Sequence, residues 1–157
     1  MVIQRLQSLY LFIAMVLMVV FAFVPSVAYS VDGNEFLLSP YGITTLGTDG
    51  ASVTNPLWAY FAVAVFVVLF ILLTIVKFKN LKLQKRLAWL SILLVLSFAV
   101  SFGLYASFVV SAIDANAVSC DIKFVALLPL LTVILMAMAI GRIKADMKLL
   151  SDSDRLR

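Results

Sequence analysis

The sequence alternates between four long apolar stretches and shorter polar segments. The clearest stretch, Leu57–Val76, contains no charged residue, glycine or proline over its twenty positions. As an α-helix it would rise by about 30 Å, which is the thickness of the hydrocarbon core of a bilayer. Since no water is available there to bind free backbone groups, such a segment has to be helical. The other three stretches are predicted at about 6–25, 87–113 and 124–140.

This pattern predicts an all-α integral membrane fold, a four-transmembrane-helix bundle in which 1–157 is a single domain. The last segment, 141–157, is rich in charge and is predicted to extend the fourth helix as a tail. In that tail Ile143, Met147 and Leu150 recur on one helical face, and Asp146 belongs to the charged remainder. We expect the tail to lie along the membrane or against a partner.

The longest polar connection, 25–56, follows the first apolar stretch. Two short runs within it, Glu35–Leu38 and Ile43–Leu46, flank the turn sequence Ser-Pro-Tyr-Gly. Proline at the second position of a turn fixes the backbone, and glycine at the fourth relieves strain. The sequence therefore predicts one small β-hairpin in an extracytoplasmic loop between the first two helices.

The same connection begins with a pattern of small residues that resembles a secretory cleavage site. Ala28 and Ser30 supply the small-x-small spacing. However, the apolar stretch before them exceeds the roughly 7–15 residues usual for a signal peptide. We therefore expect a retained first span.

Composition and charge distribution agree with membrane residence. The chain is 64% hydrophobic and 13% charged, far from the roughly 25% charge of soluble domains. Eleven of the twelve Lys and Arg residues lie at the two ends or in Lys77–Arg86, and Lys123 is the exception. Cations collect on the cytoplasmic side of membrane proteins, so both termini are predicted to be cytoplasmic. The cations predicted to face anionic lipid headgroups or a protein partner, with no role for nucleic acid, are Lys77, Lys79, Lys82, Lys85, Arg86, Arg155 and Arg157.

The candidate chemistry is sparse. The chain has no histidine and one cysteine, Cys120, so it offers no internal disulfide and no Cys/His metal motif. A free thiol is the favoured interpretation of Cys120, and a disulfide to another chain is the alternative. No ionisable Asp, Glu, Lys or Arg falls in the four predicted spans, which argues against ion or proton coupling. We expect a protein that is not an enzyme and has no cofactor and no metal.

Two stripes mark the third predicted span. The first is a ladder of small residues at four-residue spacing, for which packing inside the bundle is favoured over a homodimer face. The second carries hydroxyl groups, which usually bond back to their own helix and less often line a pocket. The small-residue ladder is Ala99, Gly103, Ser107 and Ser111, and the hydroxyl stripe is Ser97, Ser101 and Tyr105.

The two ends of the chain resemble a known family. Ile3-Gln4-Arg5 opens the first span, and Ser153-Asp154-Arg155-Leu156-Arg157 closes the chain. These segments are similar to those of the uncharacterised four-span inner-membrane proteins of the Bacteroidota, grouped as domain-of-unknown-function family 4293. The resemblance implies residence in the cytoplasmic membrane of a diderm bacterium, and it implies no catalytic residue.

Three functional hypotheses follow. The first is a non-catalytic accessory or scaffold subunit that contacts lipid and a protein partner through its cytoplasmic surface. The second is a transporter or binder of a hydrophobic or neutral small molecule held between the spans, which requires an apolar pocket. An intramembrane enzyme ranks last, because no base is placed beside a nucleophile.

Overall fold

A computed structural model describes residues 2–31, 34–47, 50–78, 80–112 and 119–155. Over these residues the chain is mostly helical and carries a small antiparallel sheet. In chain order the elements are α1 Val2–Phe23, β1 Val27–Val31, β2 Asn34–Ser39, β3 Gly42–Gly47, β4 Gly50–Pro56, α2 Trp58–Val76, α3 Leu81–Ala112, β5 Ser119–Ile122, a 3-10 helix Phe124–Leu127 and α4 Leu128–Arg155.

The four helices form a ring in which the main packing of each helix is against two others. α1 contacts α2 and α4, and α3 contacts the same two helices. All four are long and apolar enough to cross a membrane, as the hydropathy pattern predicts. Four such helices suggest a multi-pass membrane protein.

Two helix boundaries differ from the sequence prediction. α3 begins at Leu81, so the second half of the predicted basic loop is helical. Asn80 explains this start, because its side-chain oxygen accepts a hydrogen bond from the backbone N–H of Leu83 at 3.3 Å. α4 continues through Gly141 without interruption and ends at Arg155, so the predicted tail is one helix with the fourth span.

The all-α fold class is incomplete, because five strands join in one sheet with the order β4-β3-β2-β1-β5. The predicted hairpin is confirmed as β2 and β3, which are joined through the pair Ser39 and Gly42. The hydroxyl of Ser39 donates to the carbonyl of Gly42 at 3.0 Å and accepts from its N–H at 3.3 Å. β1 and β4 extend the hairpin, and β5 comes from the connection between α3 and α4 to pair with β1.

One face of the sheet lies on the helix ends. Val27, Tyr29 and Leu38 alternate with more exposed residues and are buried. The Tyr29 ring stacks on Phe36 with centroids 5.2 Å apart. Burial, with a smaller contribution from Tyr105, raises the pKa of the Tyr29 hydroxyl above its ordinary value.

Backbone hydrogen bonds attach three helix ends to this sheet. Just after α1, the N–H of Ser26 donates to the backbone carbonyl of Leu38. Just before α2, the N–H of Leu57 donates to the backbone carbonyl of Tyr41. Lys123 N–H, just before the 3-10 helix, donates to Ser26. We call this end of the bundle the sheet end. The opposite end, where α1 begins and α4 ends, is the terminal end.

Candidate functional site: an apolar cleft and a basic recess

A cleft of about 440 Å³ opens at the sheet end of the bundle. Its walls come from α1, α3, the start of α4 and the strands β1 and β5. The lining residues are Phe21, Ser26, Val27, Ala99, Phe102, Gly103, Ala106, Ser107, Ile122, Ala126 and Pro129.

Small residues on α3 create the space. Ala99, Gly103 and Ser107 follow one another at four-residue spacing and occupy one wall. A Cβ atom added at Gly103 would meet nothing within 4 Å. Phe21 of α1 packs edge-on against Phe102 of α3, with centroids 5.7 Å apart, and lends the cleft a rigid aromatic side.

The polar atoms of the cleft are already satisfied. Ser107 donates its hydroxyl to the carbonyl of Leu104 at 2.8 Å, one turn earlier in the same helix. Ser26 donates to the carbonyl of Leu38 at 3.4 Å. Because these hydroxyls are used within the protein, the cleft offers an apolar surface to a ligand.

The small-residue ladder therefore faces a cleft over its described part. Gly103 and Ser107 are exposed, and no neighbouring helix lies against Gly103. Ala99 is partly buried. The side chain of Ser111 lies outside the described residues, and the homodimer alternative stays a prediction.

The hydroxyl stripe of α3 lies away from the cleft. Ser97 donates to the carbonyl of Leu94 at 3.0 Å, and Ser101 donates to the carbonyl of Phe98 at 2.9 Å. These are the back-bonds expected when a hydroxyl serves its own helix.

Tyr105, the third member of the stripe, faces α2. Its ring lies 5.0 Å from the ring of Tyr60, centroid to centroid. The Tyr60 hydroxyl donates to the backbone carbonyl of Ser101 at 3.4 Å. The stripe thus takes part in the contact between α2 and α3, and Ser97, Ser101 and Tyr105 are absent from the cleft lining.

A second cavity, a basic recess of about 250 Å³, lies at the terminal end. Because α3 starts at Leu81, its three cations fall at i, i+3 and i+4 and share one helical face. Trp89 continues this face, and Met147 of α4 closes the recess. The three cations of the recess are Lys82, Lys85 and Arg86.

The other cations predicted to face lipid or a partner do not line the recess. Lys77 is exposed just after α2. Arg155 ends α4, but its side chain lies outside the described residues, as do Lys79 and Arg157 altogether. Cys120 lies in β5, where its backbone pairs with Tyr29, and its side chain is likewise not described. In the part of the chain that the structure describes, no group of three or more His, Cys, Asp or Glu side chains could hold a metal ion.

Three buried polar residues were missed by sequence reasoning. Gln7 and Gln84 are fully buried, and Asp146 is 7% exposed, although it was predicted to lie on the charged face of the tail. None of their side-chain atoms has a hydrogen-bond partner in the described part of the chain. The available signal was periodicity, because Gln7 extends the buried series Leu11, Ala14 and Met18 at helical spacing.

One family model matches almost the whole sequence. The family model described as "Domain of unknown function (DUF4293)" matches residues 3–156. The chain belongs to this family. A comparison with curated proteins found no match. The family description assigns no activity, so function has to be argued from the cleft and the recess.

Proposed function

We propose that this protein is a non-catalytic lipid-binding protein of the bacterial inner membrane, and that its apolar cleft holds a lipid acyl chain. The observation that carries the proposal is the cleft itself, a roomy apolar groove whose hydroxyls are already bonded. Its volume falls within the roughly 300–1,000 Å³ of ligand pockets. Since the hydroxyls of Ser26 and Ser107 are already bonded within the protein, the cleft suits a hydrocarbon chain better than a polar ligand.

The surface around the cleft supports a lipid environment. On α3, Val100 and Leu104 are 61% and 66% exposed. Large apolar side chains exposed along whole helices are untenable in water and normal against lipid. A groove that opens between such helices is in reach of acyl chains from the surrounding bilayer.

Charge supports the orientation. Both chain ends and the α2–α3 turn lie at the terminal end, and eleven of the twelve Lys and Arg residues belong to these segments. We infer that this end is cytoplasmic and that the sheet is extracytoplasmic. The resemblance of the chain ends to inner-membrane proteins of the Bacteroidota agrees with this orientation.

The basic recess favours a second role, that of an accessory subunit held at the membrane by anionic lipid. Lys82, Lys85 and Arg86 converge beside Trp89, an aromatic residue of the type that anchors at membrane interfaces. Basic pockets between helices on the cytoplasmic side suit phosphate headgroups. A partner subunit would share this surface with lipid.

Gly103→Leu tests the lipid-binding proposal, because a Cβ at this position meets no atom within 4 Å and the rest of the side chain would take up space in the cleft. Gly141→Leu is the matched control: it makes the same exchange in a helix, also into open space, and Gly141 does not line the cleft. Each protein is purified in mild detergent and examined by native mass spectrometry. We expect lipid on the wild type and on Gly141→Leu, and about tenfold less on Gly103→Leu. Equal lipid on both variants, or none on the wild type, would contradict the proposal.

A further inference from the structure

The two buried glutamines of the terminal end lie at the same depth in the bundle. Phe21 of α1 meets Phe98 of α3 edge-on, with centroids 6.1 Å apart. Gln7 and Gln84 each precede their ring by fourteen residues, which is about 21 Å along a helix. Since α1 and α3 run in the same direction, this offset brings Gln7 and Gln84 to one level.

Asp146 of α4 reaches that level too. The next residue, Met147, lines the basic recess together with Lys82 and Lys85. Those two lysines flank Gln84 in sequence, so Asp146 lies at the depth of Gln84. Among the described side chains, these three are the last buried ones of their helices toward the terminal end.

Their burial calls for a ligand. Buried polar groups in folded proteins are almost always hydrogen-bonded, and a carboxylate without a partner is the costliest exception. Ionisable groups enclosed among membrane helices mark ion or substrate sites. Asp146 makes no hydrogen bond to Lys82, Lys85 or any other residue of the described chain.

We propose that Gln7, Gln84 and Asp146 form a binding site for a monovalent alkali cation. Together they present four oxygens, two from the carboxylate and one from each amide. Hard metal cations prefer such oxygens, and nothing in this set favours a softer metal. One carboxylate neutralises one positive charge, and the neighbouring recess, with its three cations, disfavours a divalent ion. The site lies at the other end of the bundle from the apolar cleft and is independent of lipid binding there.

The test is thermal unfolding of the full-length protein in non-ionic detergent at constant ionic strength. Sodium chloride, potassium chloride and choline chloride are compared, because choline carries the same charge but is a quaternary ammonium ion that carboxylate and amide oxygens cannot coordinate as they do an alkali cation. A ligand that binds only the folded state raises the unfolding midpoint as its concentration rises. We expect a rise of several degrees with Na⁺ or K⁺ over choline, lost in Asp146→Asn and reduced in Gln84→Met.

Glu35→Gln is the control, since it removes an exposed carboxylate of the sheet and should leave the cation effect unchanged. A second measurement needs no variant: ²³Na NMR linewidths should broaden with the wild type and narrow when K⁺ competes. Equal midpoints in all three salts, or a sodium effect that survives Asp146→Asn, would each overturn the proposal.

Discussion

The hydroxyl of Thr74 on α2 lies 3.2 Å from the hydroxyl of Ser91 on α3, in the buried interior of the bundle. Each hydroxyl also reaches a carbonyl of its own helix, Phe70 at 3.0 Å for Thr74 and Leu87 at 2.9 Å for Ser91. Two protons therefore serve three contacts. The bond between the helices forms only when one hydroxyl gives up its own backbone carbonyl.

This sharing predicts weak coupling between the two residues. We expect Thr74→Val and Ser91→Ala each to lower the free energy of unfolding by about 1 kcal/mol, through loss of a buried hydrogen bond. The coupling in the double variant should be about 0.5 kcal/mol, as for other bonds between membrane helices. Denaturant titration in mixed micelles measures all three values. A coupling above about 2 kcal/mol would show that the bond between the helices dominates.

Phe21 of α1 packs edge-on against two rings of α3, those of Phe98 and Phe102. Phe21→Ala should lower the free energy of unfolding by about 2–3 kcal/mol, somewhat less than the roughly 3–5 kcal/mol of core aromatic truncations in soluble proteins, because lipid would replace part of the lost contact. Phe12→Ala, at a half-exposed position of the same helix, is the control and should cost less than about 1 kcal/mol. Equal losses would place Phe21 outside the core.

Tyr29 predicts a loss of stability at alkaline pH. Burial raises the pKa of this hydroxyl in the folded protein above the unfolded value of about 10. The contribution is fully present below pH of about 10 and is lost as pH rises through the folded pKa, because the unfolded chain releases the proton first. The midpoint of unfolding should fall less steeply above about pH 10 in Tyr29→Phe than in the wild type. Tyr41→Phe, which removes an exposed hydroxyl, should follow the wild type.

Thiol labelling tests the orientation. In a Cys120→Ser background, single cysteines replace Glu35 on the sheet and Phe78 in the α2–α3 turn, both exposed. A membrane-impermeant reagent applied from the periplasm should label the first and reach the second only after the membrane is broken. The opposite pattern would reverse the topology.

Local patterns predicted the parts of the fold that local chemistry determines. The predicted span Leu57–Val76 agrees with α2, which begins one residue later and ends at the same residue. An uninterrupted apolar run of this length is typical of a single helix. Pro40 and Gly42 predicted the hairpin through the turn chemistry of Ser-Pro-Tyr-Gly. β5 was missed because Ser119–Ile122 is short and finds its partner, Val27–Ser30, at the other end of the chain.

The candidate site was predictable only in pieces. The small residues of α3 were recognised, but their neighbours in the cleft, Val27 and Ile122, come from strands that no local pattern joins. Asp146 was assigned to the exposed face of the tail because of its charge. Its position, three residues after Ile143 and four before Leu150, indicates the buried face instead, and the structure buries Ile143 completely. Burial of a polar side chain is decided by the neighbouring helices, which a one-helix pattern does not contain.

The pairing of Val27 with Ile122 also has a consequence for biosynthesis. During translation β1 leaves the ribosome long before β5 exists, and its free edge waits until the third helix has been made. The sheet can close only after β5 has been made, and β5 follows α3 in the chain, so closure of the sheet requires that the first three helices have already been synthesised. A chain truncated before β5 would carry an open strand edge, the kind of surface on which unwanted strand pairing starts.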